Sequence, residues 1–108
     1  MNPSEEILSV AIFEPLPGME EEALATLRDL FAALSAGGYS RDLLYRANSH
    51  YLLFRYWKSE ESRRAALEDA AVLRCWAKLA HEIRIMKVYE RLDEVARDPE
   101  SQNKRHGE

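Results

Sequence analysis

A chain of 108 residues, 46% apolar and 31% charged, has the composition of one ordinary globular domain with a core of modest size. Its net charge of −4 excludes a general attraction for nucleic acid or an anionic membrane surface, so neither is expected as a partner. The single cysteine, Cys75, excludes an internal disulfide and an iron–sulfur cluster, and the histidines His50, His81 and His106 show no metal-ligand spacing.

The opening residues Met1-Asn2-Pro3-Ser4-Glu5-Glu6 are polar and acidic, unlike the basic start of a secretory signal. No run approaches the roughly 18 apolar residues that cross a bilayer. A cytoplasmic location is expected. The first predicted strand covers residues 7–13, Ile7-Leu8-Ser9-Val10-Ala11-Ile12-Phe13, and is apolar on both faces. Pro15, Pro17 and Gly18 then break the chain direction. Residues 19–35 predict an amphipathic helix, because Ala23, Leu24, Leu27, Leu30, Phe31 and Leu34 recur at spacings of three and four. Glu20, Glu21 and Glu22 suit its positive N-terminal end, and Gly37-Gly38 supply the stop. Residues 39–47 read as a second strand, joined by Asn48-Ser49 to a third in a hairpin.

The third strand, residues 51–57, has almost no polar side. Alternation puts Tyr51, Leu53, Arg55 and Trp57 on one face and His50, Leu52, Phe54 and Tyr56 on the other. A strand with one wet face alternates apolar and polar residues, so both faces of this one require cover. Ser59 is a good N-cap for a second helical region running to about residue 82. On a helical wheel Val72, Trp76, Leu79 and Ile83 share the face toward the sheet, with His81, Arg74 and Lys78 opposite. Residues 83–89 form the fourth strand. Residues 1–92 are read as the folded domain, and 93–108 as a polar, mobile tail.

This order is that of the ferredoxin-like βαββαβ arrangement, an α+β fold. Right-handed crossovers put both helices on one face of a four-stranded antiparallel sheet and leave the other bare. An apolar face of that size exceeds the patches usual on a soluble monomer. Burying roughly 800 Å² of apolar surface between two such sheets contributes on the order of 20 kcal/mol gross. Association costs about 4–15 kcal/mol. A two-fold homodimer through the sheet face is therefore expected.

The element order, with Gly38-Tyr39 opening the second strand, resembles the antibiotic biosynthesis monooxygenase-like family of dimeric α/β barrels over residues 7–92. Its most specific part is Leu53-Phe54-Arg55-Tyr56-Trp57-Lys58-Ser59-Glu60-Glu61, similar to the family's aromatic strand end and Ser-Glu-Glu helix cap. The resemblance implies a ligand cavity in each subunit between sheet and helices, and oxygenation of a phenol or quinol without a cofactor. Haem-degrading members carry an Asn, a Trp and a His at places that fall on Ala11, Ala66 and Trp76 here, so haem degradation is not implied. Where oxygenase members often carry an acidic residue on the third strand, Arg55 stands.

The candidate catalytic residues are Arg55, to hold a phenolate, and Trp76, to orient its ring. Tyr39, Trp57 and His50 are candidates for binding a small aromatic substrate. Each has a plainer reading: Trp76 as core, Arg55 in a salt bridge to Asp42, Glu14 or Glu90, and Tyr39 and His50 at a sheet edge or dimer seam. Cys75, flanking the apolar stripe that holds Trp76, reads as a buried, inert thiol. The alternative function is a non-catalytic dimer binding a small apolar ligand. An RNA platform is disfavoured by the acidic charge and by the absence of its glycine-bearing aromatic signature. An open cavity lined by Arg55 and Trp76 keeps the oxygenase reading open; a closed core with Arg55 paired to a carboxylate rules it out.

Overall fold

The computed structural model describes residues 6–100. Its elements are β1 (Ile7–Pro15), α1 (Glu20–Ala36), β2 (Ser40–Ala47), β3 (His50–Trp57), α2 (Glu60–Ala66), α3 (Ala70–Leu79) and β4 (Ile83–Leu92). The strands form one antiparallel sheet in the order β2-β3-β1-β4, the expected ferredoxin-like α+β topology. Within one chain the sheet is open, not a closed barrel.

Local chemistry accounts for the turns. Gly38, at φ 70°, turns the chain out of α1, where the Gly38 and Tyr39 amides donate to the carbonyls of Ser35 and Leu34. Asn48, at φ 60°, makes the β2–β3 turn, a conformation that asparagine tolerates better than most residues. That turn fixes the register, with Asp42 opposite Arg55 and Leu44 opposite Leu53.

Helices cover the face that carries Tyr51, Leu53, Arg55 and Trp57. Phe13 and Leu53 of the sheet are buried in one cluster with Leu27, Leu30 and Leu34 of α1 and Val72 of α3. Phe13 stacks on Tyr51 at 5.6 Å, and the Tyr51 hydroxyl donates to Glu20 at the start of α1. The opposite face is bare. It carries exposed Leu43, Tyr45, Tyr89 and Leu92 around half-buried Phe54 and Tyr56. Tyr45 meets Phe54 edge-on at 5.7 Å, and the Arg41 guanidinium lies 4.1 Å above the Tyr56 ring.

The single second helix expected to reach about residue 82 is instead two helices, α2 and α3, separated at Leu67, Glu68 and Asp69. Asp69 is the cause. Its Oδ1 accepts from the amides of Ala71 (2.9 Å) and Val72 (3.4 Å), a cap that starts a new helix. The Tyr39 hydroxyl donates to Asp69 Oδ2 at 2.7 Å and ties this cap to the start of β2. Fourth-strand pairing continues to Leu92, past the expected end at residue 89. Of the expected tail, residues 93–98 have no regular structure and are exposed. Residues 101–108 lie outside the described residues, as do 1–5. Among the described residues, no helix is long and apolar enough to cross a membrane.

The Tyr39–Asp69 bond makes stability depend on pH in a defined way. The hydroxyl of Tyr39 holds the Asp69 carboxyl below its ordinary value. Its contribution is complete above about pH 4 and is lost as pH falls through the lowered folded-state value. The same bond keeps the Tyr39 hydroxyl protonated above the ordinary phenol value, so that share is complete below about pH 10 and lost as pH rises through the raised value. Urea titrations across pH should show Asp69→Asn with a flatter acid limb than the wild type. An unchanged acid limb would contradict the assignment.

Candidate active site

On the helix side, β1 presents Ser9 and Ala11 between Ile7 and Phe13, opposite Arg55 and Leu53 of β3. These two small side chains in the middle of the sheet leave a gap that the helices above do not fill. The result is a cavity of about 300 Å³. Ala11, Leu53 and Trp57 form its floor, and Leu27, Leu30 and Trp76 its roof. Its volume is at the lower end for small-molecule sites, which run from about 300 Å³ upward. The mouth lies toward β4, where the wall residues Ile85 and Val88 remain exposed.

One end is polar. Ser9, Arg55, Arg63 and Glu90 meet there. The Ser9 hydroxyl donates to the Glu90 backbone carbonyl at 2.6 Å. Arg63 of α2 lies 3.0 Å from Glu60 and 3.8 Å from the exposed Glu90 carboxylate, so it bridges α2 to β4. Arg55 Nε donates to Asp42 Oδ2 at 2.7 Å, and Ser40 Oγ donates to the other Asp42 oxygen at 2.9 Å. This pair is deeply buried, with the Arg55 side chain 11% and the Asp42 side chain 2% exposed. The guanidinium carbon sits 5.4 Å from the centre of the Trp57 ring. Arg55 Nη2 is buried and has no acceptor among the described residues.

The two arrangements that the sequence set against each other therefore coexist. Arg55 is paired, with Asp42 and not with Glu14 or Glu90, and it also lines an open cavity together with Trp76. Arg55, Trp57 and Trp76 are brought together. Tyr39 and His50 are not among the residues lining the cavity. Tyr39 is engaged with Asp69, while His50 lies on the bare face, its Nε2 4.0 Å from Glu14. His81 is exposed beyond the end of α3. Cys75, expected buried, is half-buried beside the apolar face of α3, and desolvation pushes its thiol up.

Sequence reasoning missed Ser9 and Arg63. A signal for Arg63 existed: it precedes buried Ala66 by three positions and shares its helix face. The lining contains no histidine, and its one carboxylate is engaged by Arg63. The site can grip an oxygen anion and stack or enclose a flat ring, but it holds no general base of its own. Ala11 and Trp76 line it and Ala66 is buried, so none of the three positions compared with haem-degrading proteins carries an Asn, a ligand-facing Trp in place of Ala66 or a His.

No family model matches this sequence, and no curated protein matches it. Its fold is shared with solved structures. SnoaB from Streptomyces nogalater, a cofactor-independent oxygenase, superposes with a TM-score of 0.69 at 16% identity, over 86% of this chain and 99% of SnoaB. A Bacteroides thetaiotaomicron protein provisionally named an antibiotic biosynthesis monooxygenase gives a TM-score of 0.76 at 7% identity, over 87% and 94% of the two chains. One from Chloroflexus aurantiacus with the same provisional name gives 0.69 at 14%, over 86% and 97%. The chain has the fold of these proteins, in keeping with the resemblance seen in its sequence.

Proposed function

We propose that this protein is a cofactor-independent monooxygenase acting on a small phenol or quinol held between sheet and helices. The cavity that brings Arg55, Trp57 and Trp76 together is the observation that carries this reading. In such a reaction the substrate is its own reductant. Its deprotonated, electron-rich ring gives electrons to oxygen; one oxygen atom enters the ring and the other leaves as water. The protein's part is to exclude water, orient the ring against Trp76 and Trp57, and stabilise the phenolate through Arg55. Loss of the phenolic proton falls to the substrate's own acidity, because the one carboxylate of the lining, Glu90, is paired with Arg63.

The missing base also favours a second reading, a protein that binds a small apolar ligand without reacting. Oxygen uptake with a panel of quinols, in metal-free buffer, separates the two. Trp76→Ala removes the ring's wall, and Ala11→Leu fills the cavity floor at a cost of about 1–3 kcal/mol of stability. Both variants are expected to fall at least tenfold below the wild type. No wild-type rate above these variants would favour the binding protein.

The functional unit is proposed to be a homodimer joined through the bare face of the sheet. Support comes from the exposed Leu43, Tyr45, Tyr89 and Leu92 gathered there with no helix over them. Such a pairing leaves the cavity on the opposite side of each sheet free to take a ligand.

A further inference from the structure

We infer that residues 59–68 form a flap over the polar end of the cavity, pinned at both ends to Tyr39 and latched to β4 by Arg63 and Glu90. Ligand enters and leaves as the flap lifts. This inference rests on the cavity being the ligand site.

Both ends of the segment meet at one residue. The Lys58 amide donates to the Tyr39 carbonyl at 3.0 Å, and the Tyr39 hydroxyl donates to Asp69 Oδ2 at 2.7 Å. Tyr39 is itself held firmly, because its ring fills the place that a side chain on Gly37 would take. Each end also carries its own helix cap. Ser59 accepts from the Ser62 amide at the start of α2, and Asp69 from Ala71 and Val72 at the start of α3. A short surface segment with its ends together and a separate cap at each is able to lift as one piece without unwinding its neighbours.

Little holds the segment down between its pins. Ala66 is the one buried side chain in residues 59–68, and a single methyl group gives little apolar burial. The same segment supplies two residues to the cavity wall, Arg63 and half-exposed Leu67. Among the described residues its one ion pair with the sheet joins Arg63 to Glu90 at 3.8 Å, across the mouth of the cavity. An exposed pair of this kind is weak and screened by salt, which suits a latch. When it opens, Arg63 keeps Glu60 of its own helix, 3.0 Å away, and Glu90, 79% exposed, turns to water. Neither charge is stranded.

Relaxation-dispersion NMR of the full chain reads the lifting. Stopped-flow mixing with 4-nitrophenol reads entry and exit through quenching of Trp57 and Trp76, both of which line the cavity. Backbone amides of residues 60–68 are expected to share one exchange rate that α1 and β2 lack. Glu90→Gln should raise the lifted population and speed both entry and exit by about threefold, the loss of one exposed ion pair. High salt should do the same to the wild type and nothing further to the variant. Tyr39→Phe removes one pin at a residue outside the cavity lining. It should spread the exchange into Ala70, Ala71 and Val72 and speed entry, with the 4-nitrophenol Kd held within about twofold. Flap amides no more mobile than those of α1, or an entry rate unchanged in Glu90→Gln, would overturn the flap and leave the cavity reading intact. Absence of tryptophan quenching by 4-nitrophenol would overturn both.

Discussion

Replacing Arg55 by methionine is expected to destabilise the protein by about 3–5 kcal/mol, a large part of the stability of a domain this size. The reason lies in Asp42. Its side chain is 2% exposed and accepts from Ser40 Oγ and Arg55 Nε. Without the guanidinium, a carboxylate stays buried with one hydroxyl to answer its charge. The pair as a whole is worth much less than this, because both ions lost their hydration on folding. The double variant Arg55→Met with Asp42→Leu should therefore recover most of the loss. Urea denaturation reads both effects as shifts in midpoint. A single variant within about 1 kcal/mol of the wild type would mean that Asp42 is solvated and the pair is not a buried one.

The second large effect concerns assembly. Phe54→Asp is expected to convert the protein into a folded monomer. Phe54 sits in the middle of the bare face, between Val10 of β1 and Leu43 of β2, with Tyr45 edge-on to its ring. In a dimer joined through this face a carboxylate there is buried between two sheets, which costs several kcal/mol at each site. In a lone chain the same residue faces water. Sedimentation equilibrium should give the wild type twice the chain mass of 12.5 kDa and the variant the chain mass itself, with unchanged far-ultraviolet circular dichroism. A wild type that stays at 12.5 kDa at every concentration would overturn the proposed dimer.

Much of this was legible in the sequence. Alternation and spacing gave the strands and their order, because Tyr51 to Trp57 is apolar on both faces and Asn48-Ser49 leaves only a tight hairpin. The partner of Arg55 was also within reach. A two-residue connection at 48 and 49 puts residue 42 opposite residue 55, which selects Asp42 over Glu14 and Glu90. The break between α2 and α3 was missed because apolar periodicity continues across it. The signal was a single residue, Asp69, whose capping role depends on local hydrogen bonds that periodicity does not record.

The site was less legible than the fold. Trp76 and Arg55 were found because their types are conspicuous against an apolar background. Ser9 was hidden by the opposite property, since what it contributes is smallness next to Ala11 on the middle of the sheet. Tyr39 looked like a ligand donor because its hydroxyl had no visible partner. That partner, Asp69, lies thirty residues away in sequence. His50 followed from strand parity alone once the helix side was known, and parity puts it on the other face from Arg55.

In the proposed reaction a ring held in the cavity acquires an oxygen atom from dioxygen without a cofactor. Oxygen uptake by itself does not separate this from simple oxidation of a quinol to a quinone, which yields peroxide. Mass spectrometry of the product formed under ¹⁸O₂ does. The expected product is heavier by one labelled oxygen atom, with the second recovered as water, and the label is lost in Ala11→Leu. An unlabelled quinone formed together with peroxide, at equal rates in the wild type and Ala11→Leu, would contradict it.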